Sequence, residues 1–278
     1  MKTEKWTEEE INYVIENRLE KSYSEIGKDI GRTRSAVLSK LNKMGYKLPE
    51  KYSYDSDFFE KIDTEEKAYW LGFFYADGYV NITKHKKQTG HEVGLELKKS
   101  DIGHLKKFNK SINGNFKPII RTRKPTTFVK KFIDTCSIRI YSKKMVYDLI
   151  NAGVTQRKTF TIEFPFIEDY LVRHFIRGFF DGDGSLWIDN TRNFLKCKFT
   201  SASPVFINQL RNTLYCSGIE SYIVKSRNVL DLCIGDKKSV GIFLNYIYQD
   251  SNIFLDRKKK LYYDNEHLSD YIYKKYNT

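Results

Sequence analysis

Long apolar runs are missing from this chain of 278 residues. No stretch of eighteen apolar residues occurs, and the opening Met1-Lys2-Thr3-Glu4-Lys5-Trp6 has no apolar segment of the kind a signal peptide needs. A membrane partner and secretion are therefore not expected, and the chain reads as staying inside a cell, in cytoplasm, nucleoid or organelle. Cysteine is scarce. Cys136, Cys197, Cys216 and Cys233 stand far apart with no CxxC pair, each among apolar or strand-forming neighbours, which favours buried free thiols over disulfides or metal ligation. The five histidines, His85, His91, His104, His174 and His267, show no metal-ligand spacing, so neither a zinc finger nor an HNH-type nuclease site is indicated. Carboxylates remain as the plausible metal ligands. Acid is also in deficit, with 35 Asp and Glu against 48 Lys and Arg and a formal charge of +13. An excess of that size points to a polyanionic partner, nucleic acid before membrane. The 40% hydrophobic content supports substantial cores, in one large domain or two to three small ones.

What is present begins with a helical module. Residues 1 to 47 read as three short helices, from Thr7 to about Leu19, Ser24 to Ile30 and Arg34 to Met44. Thr7 followed three residues later by Glu10 forms a capping box. Trp6, Ile11, Val14 and Ile15, then Ile26 and Ile30, then Val37, Leu38 and Leu41 recur at helical spacing and supply a small core. Gly31-Arg32-Thr33 turns between the second and third helices. This is the layout of a helix-turn-helix, whose last helix enters the DNA major groove. Arg32, Arg34, Lys40 and Lys43 crowd that region and are the candidate DNA contacts of the module. A helical protein-interaction module would share the layout. Residues 48 to 63 are polar, contain Pro49 and show no clear period, which reads as a linker.

Beyond the linker a nine-residue pattern occurs twice, 106 residues apart: Trp70-Leu71-Gly72-Phe73-Phe74-Tyr75-Ala76-Asp77-Gly78 and Ile176-Arg177-Gly178-Phe179-Phe180-Asp181-Gly182-Asp183-Gly184. The small residues Gly72 and Ala76, and Gly178 and Gly182, fall four apart on one helical face, where lack of bulk lets two backbones approach closely. The closing Gly78 and Gly184 suit a left-handed helix end, which puts Asp77 and Asp183 at the last helical positions. Carboxylates are disfavoured there by the partial negative charge of the helix end unless a cation offsets them. Two such acids brought together by pairing helices would make a metal site, although two buried helices with ordinary glycine caps would look similar.

From Thr64 the chain reads as helix, two strands, helix, two strands and helix, and then repeats that order, giving an α+β protein with repeats over residues 64–165 and 166–278. Alternation puts Val80, Ile82, Val93, Leu95 and Leu97 on one strand face and polar or basic residues on the other. Such sheets suggest a saddle over a duplex, with Asn81, Thr83, Lys98, Arg139, Asp189, Lys196, Lys198 and Arg227 as candidate base readers. Lys84, Lys86, Lys87, Arg121, Arg123 and Lys124 are candidate phosphate contacts. A merely solvated strand face has the same pattern.

The double motif closely resembles that of the LAGLIDADG homing endonucleases. The resemblance covers about residues 64 to 265 and implies two tandem αββαββα units around a pseudo-twofold axis, with the motif helices paired between them. It implies further that the last acids, Asp77 and Asp183, bind the catalytic divalent metal. The first acid of the motif is present as Asp181 but replaced by Tyr75 in the first copy, and Asp181 is expected only to support the site. The family's basic residue that organises solvent corresponds to Lys158 and Lys258, which could equally be plain surface charges, and Lys98 is a further candidate near the metals. Hard carboxylate oxygens suit Mg2+. The N-terminal segment is similar to small Myb-like helix-turn-helix modules, through Trp-Thr-x-Glu-Glu and Gly-Arg-Thr-x-x-Ala-Val. The expected function is a monomeric, site-specific double-strand DNA endonuclease with double-stranded DNA as partner. An intron RNA maturase, with intron RNA as partner, and a non-cleaving DNA-binding regulator are the alternatives. An intein is not expected, since the chain neither starts with Cys or Ser nor ends in His-Asn.

Overall fold

The computed structural model describes residues 5–18, 20–46, 52–84, 89–125, 130–156, 158–191 and 193–265. They fall into two compact units, Met1–Tyr52 and Ser53–Thr278.

The small unit holds α1 (Glu8–Asn17), α2 (Tyr23–Asp29) and α3 (Arg34–Lys43). Thr7 with Glu10, and Ser22 with Glu25, close capping boxes on the first two helices. Val14, Ile26, Val37 and Leu41 form its core, with Trp6, Tyr13 and Ile30 packed against it. Gly31, at φ +71°, makes the turn before α3. Arg32 corrects an expectation. Its side chain is buried, donates to Glu10 Oε2 at 2.7 Å and to the Lys5 carbonyl at 3.1 Å, and lies 4.6 Å from the Trp6 ring centre. It ties the turn to α1. Arg34 is exposed and Lys40 half-buried, its amine 5.9 Å from the Trp6 ring centre.

The large unit carries the repeat. The first copy is α4 (Glu65–Ala76), β1 (Gly78–Lys84), β2 (Thr89–Lys98), α5 (Ile102–Ser111), β3 (Ile119–Arg123), β4 (Ile133–Ile140) and α6 (Lys143–Asn151). The second is α7 (Asp169–Asp183), β5 (Ser185–Asp189), β6 (Phe194–Ser201), α8 (Pro204–Cys216), β7 (Tyr222–Ser226), β8 (Val229–Ile234) and α9 (Lys237–Tyr248), followed by α10 (Asp256–Tyr263), which the sequence pattern did not suggest. Hydroxyl or carboxylate caps start most of these helices: Thr64 on α4, Ser142 on α6, Ser203 on α8 and Asp236 on α9. The two antiparallel sheets have the same strand order, β1-β2-β4-β3 and β5-β6-β8-β7. The register pairs Val80 with Val93, Leu95 with Ile138 and Leu97 with Cys136, so the expected apolar residues share the core face.

Two further expectations are corrected. The stretch read as linker up to residue 63 is partly core: Phe58 and Phe59 are buried, with Phe59 packed edge-on against Phe74 and Phe58 against Phe59, and the Asp55 amide donates to the Ile112 carbonyl. Two aromatics in an otherwise polar run carry too little periodicity to be seen. Of the four thiols, Cys136 and Cys197 are buried, but Cys233 is half-buried and Cys216 exposed. Cys216 ends an amphipathic helix on its outer face, and Cys233 lies on the polar face of its sheet. No helix among the described residues is long and apolar enough to cross a membrane.

Candidate active site

The two motif helices α4 and α7 pair through their small residues. A Cβ added to Gly72 would overlap the Phe175 carbonyl, one on Gly178 would overlap the Tyr69 carbonyl, and one on Gly182 would overlap Cβ of Ala76. Backbone therefore touches backbone, as the four-residue spacing of small side chains requires. The closing glycines act differently from expectation. Gly184 is extended (φ −72°, ψ 150°), and Gly78 already opens β1, so neither makes a left-handed turn. A side chain at either position would run into the ring of Phe74 or Phe180 one turn back, and it is this crowding that calls for glycine.

Each helix consequently passes straight into a strand, with its acid at the junction: Asp77 as the cap of α4 and Asp183 as the last residue of α7. The helix pairing brings the acids together. Asp77 Oδ2 lies 3.3 Å from the Cβ position at Gly182. Both residues are open to solvent on one side while protein crowds them on the other. That partial loss of hydration pushes both carboxyls above the usual carboxylate range, and the charge of Asp77 adds to it for Asp183, which reaches about 6.

The cations needed at these helix ends are the two lysines that end the repeats. Lys158 Nζ donates to the Ala76 carbonyl at 2.8 Å, at the end of α4. Lys258 Nζ donates to the carbonyls of Phe180, Asp181 (2.9 Å) and Gly184, at the end of α7. Burial pulls both ammonium groups below the usual lysine range, Lys258 to about 8, against the attraction of the nearby acids. Sequence reasoning missed two neighbours. Arg257 pairs with Asp101 at 3.3 Å, and both bear on the charge of Asp77. Arg257 could have been noticed as part of the basic run around Lys258; Asp101 gave no signal.

Asp181 stands apart from the exposed pair. It is completely buried, and its carboxylate accepts from Tyr248 Oη at 2.6 Å, Tyr69 Oη at 2.8 Å and the Leu255 amide at 2.7 Å. Arg177, also completely buried, donates to Glu65 at 2.7 Å and to the carbonyls of Ile247 and Ile253. These groups fix the end of the second repeat to the helix pair.

The polar strand faces are less basic than expected, because cross-strand partners take up several charges. Lys196 pairs with Asp189 at 2.6 Å, Lys198 with Asp231 at 2.8 Å, Arg123 with Glu96 at 2.6 Å, and Arg139 Nε lies 3.6 Å from Glu92. Asn81 accepts from Gln156 at 3.2 Å. Thr83, Lys84, Lys98, Arg121, Lys124 and Arg227 are exposed, Lys98 at the end of β2 and Arg227 in the β7–β8 turn at φ +52°. Lys86 and Lys87 lie outside the described residues. Exposed apolar side chains unforeseen from the sequence join these faces: Ile119 on the first sheet, and Trp187, Tyr222 and Val224 on the second.

Among the described residues no three His, Cys, Asp or Glu stand together. The donor set is thus the Asp77–Asp183 pair, two hard oxygens whose mutual repulsion a divalent cation would relieve, and it fits a cation that keeps most of its water.

A duplicated α+β unit with paired, glycine-lined helices ending in two acids defines a class of protein, and residues 171–248 match the model of the family described as LAGLIDADG-like domain. That match lies within the second repeat, and the first repeat has the same order of elements. Among curated proteins it is similar to the DNA-directed RNA polymerase subunit Rpo1C of Methanocaldococcus jannaschii, 24% identical over 249 residues, 89% of this chain. The chain spans 23% of that relative's length. Among solved structures it is similar to the I-LtrWI LAGLIDADG homing endonuclease bound to target DNA (14% identity, 76% of this chain and 91% of the other, TM-score 0.48). It is also similar to I-DmoI in complex with DNA and Ca (20% identity, 69% and 90%, TM-score 0.44).

Proposed function

We propose that the chain is a site-specific double-strand DNA endonuclease acting as a pseudo-twofold monomer. The observation that carries this reading is the pair of solvent-facing carboxylates, Asp77 and Asp183, held at the joined ends of two helices with a lysine on the carbonyls of each. A protein that only bound DNA would gain nothing from two acids that repel each other at unfavourable helix positions. Asp77 and Asp183 would hold a hard divalent cation, Mg2+ in the cell. When bound, such an ion supplies an activated water and offsets charge building on the phosphate.

The chain's own residues do the rest. Lys158 and Lys258 hold the helix ends in place and limit the repulsion between the acids. Exposed Lys84, Arg121 and Lys124 lie on or beside the strand faces and would meet phosphates, giving salt-dependent affinity. Asn81, Thr83, Lys98, Arg139 and Arg227 remain candidate base readers, and Lys196 and Lys198 would read bases as neutralised pairs with Asp189 and Asp231. In the small unit, Arg34 and Lys40 on α3 are the DNA contacts.

The test mixes the full chain with a duplex library and Mg2+ and sequences the ends produced. The proposed function predicts double-strand ends clustered at one long asymmetric site, absent when the metal is chelated. Failure to cut any duplex, together with tight binding to a structured intron RNA, would overturn it in favour of a maturase.

A further inference from the structure

The two motif copies differ at the position two residues before the terminal acid: Tyr75 in one, Asp181 in the other. We propose that both are positioning residues with one task, to anchor the segment that carries the lysine of their own repeat.

In the first repeat, Tyr75 Oη donates to the Ala152 carbonyl at 2.8 Å. Ala152 follows α6 and opens the turn that leads to Lys158. The next residue is Gly153 at φ +98°, and a Cβ there would overlap the Tyr75 hydroxyl. Six residues after Ala152 the segment returns to the same helix, where Lys158 Nζ donates to the carbonyl of Ala76. The loop is thus pinned at both ends to consecutive residues of α4. The second repeat has the same construction. Asp181 accepts from the Leu255 amide, and three residues later Lys258 Nζ donates to the carbonyls of Phe180 and Asp181. Again both pins lie on adjacent residues of one helix.

What differs is the backbone group each tail presents. The first offers a carbonyl, an acceptor, and needs a donor; a phenol supplies one. The second offers an amide N–H, a donor, and needs an acceptor; a carboxylate supplies one. The Tyr and Asp at this position therefore answer two tails of opposite polarity. Asp181 is accordingly occupied: Oδ1 takes the Tyr248 hydroxyl, and Oδ2 takes Tyr69 and Leu255. Its burial places it among tail anchors and not beside the solvent-facing acids.

The anchoring is read without any assumption about activity, by amine acylation of the intact chain with acetic anhydride and mass spectrometry of the labelled lysines. Tyr75→Phe removes one hydrogen bond to a carbonyl and should raise the labelling rate of Lys158 by about five-fold while leaving Lys258 unchanged. Asp181→Leu, which leaves the Leu255 amide without its acceptor, should do the reverse. A variant in which both lysines or neither respond would overturn the proposal. Should Asp181→Leu fail to fold, Tyr75→Phe decides the matter alone. That the anchors serve cleavage rests on the endonuclease reading and has its own measurement: in a Lys158→Ala background, Tyr75→Phe should cost no further cleavage rate, whereas an additive loss would mean that it does not act through Lys158. Labelling as predicted with no duplex cut would sink the endonuclease reading and leave the anchors standing.

Discussion

Gly72 and Gly178 make the same contact from opposite sides of one helix pair. Gly72 lies on the carbonyl of Phe175 and Gly178 on that of Tyr69, and the two contacts are related by the 106-residue offset between the motifs. This reciprocal approach brings the helix ends, and with them Asp77 and Asp183, together.

Gly72→Ala and Gly178→Ala should each therefore destabilise the large unit by about 3 kcal/mol, because the new methyl meets backbone that cannot move without opening the pair. Urea unfolding of the two variants would check this. Equal losses are expected from the pseudo-symmetry, and a loss confined to one of them would speak against it.

The charge at the helix ends gives a pH dependence. Burial and then Asp77 raise Asp183 to about 6, above an ordinary carboxylic acid. A carboxyl raised in the folded state makes the metal-free protein gain stability as pH falls from about 6 toward 4, where the folded form takes up the proton first. A divalent cation offsets the same repulsion at higher pH. Mg2+ should then raise the melting temperature clearly at pH 8 and hardly at pH 5; a shift equal at both values would contradict this site.

Removing the lysines should show how unequal the two ends are. Lys258 is buried and serves three carbonyls, whereas Lys158 is half-buried and serves one. Lys258→Met should cost about 3 kcal/mol, as expected when a buried charge cluster loses one partner. Lys158→Met should cost about 1 kcal/mol, the order of a single hydrogen bond. Denaturant midpoints would order the two, and the reverse order would refute the geometry.

In the small unit the roles of two neighbouring arginines separate. Arg32→Ala removes a buried ion pair with Glu10 and should unfold the module. Arg34→Ala should leave its helical circular dichroism unchanged and weaken DNA binding, with a smaller salt dependence. Gel shifts at several salt concentrations would distinguish them; unaltered affinity and salt slope in Arg34→Ala would remove α3 as a DNA contact.

Much of the fold was legible because its signals are local. Strand alternation placed Val80, Val93 and Leu95 on the core face, Thr7 and Thr64 marked helix starts, and the paired motifs exposed the duplication. What was not legible depends on contacts across the chain. The Arg32–Glu10 pair and the Lys196–Asp189 pair need the tertiary fold before a basic residue is known to be occupied. Gly78 and Gly184 looked like left-handed caps because the spacing of glycine after a helix is the same whether it relieves φ or makes room for Phe74 and Phe180. The roles of Tyr75 and Asp181 were hidden for a similar reason, since the polarity of the tail each one meets is set some 75 residues away in sequence.

If Asp77 and Asp183 together form the metal centre of an endonuclease, the Asp77→Asn, Asp183→Asn double variant separates cutting from binding in cleavage and gel-shift assays with the target duplex and Mg2+. Loss of both strand cuts with duplex affinity retained is the predicted result. A double variant that still cleaves would contradict the assignment of these two carboxylates.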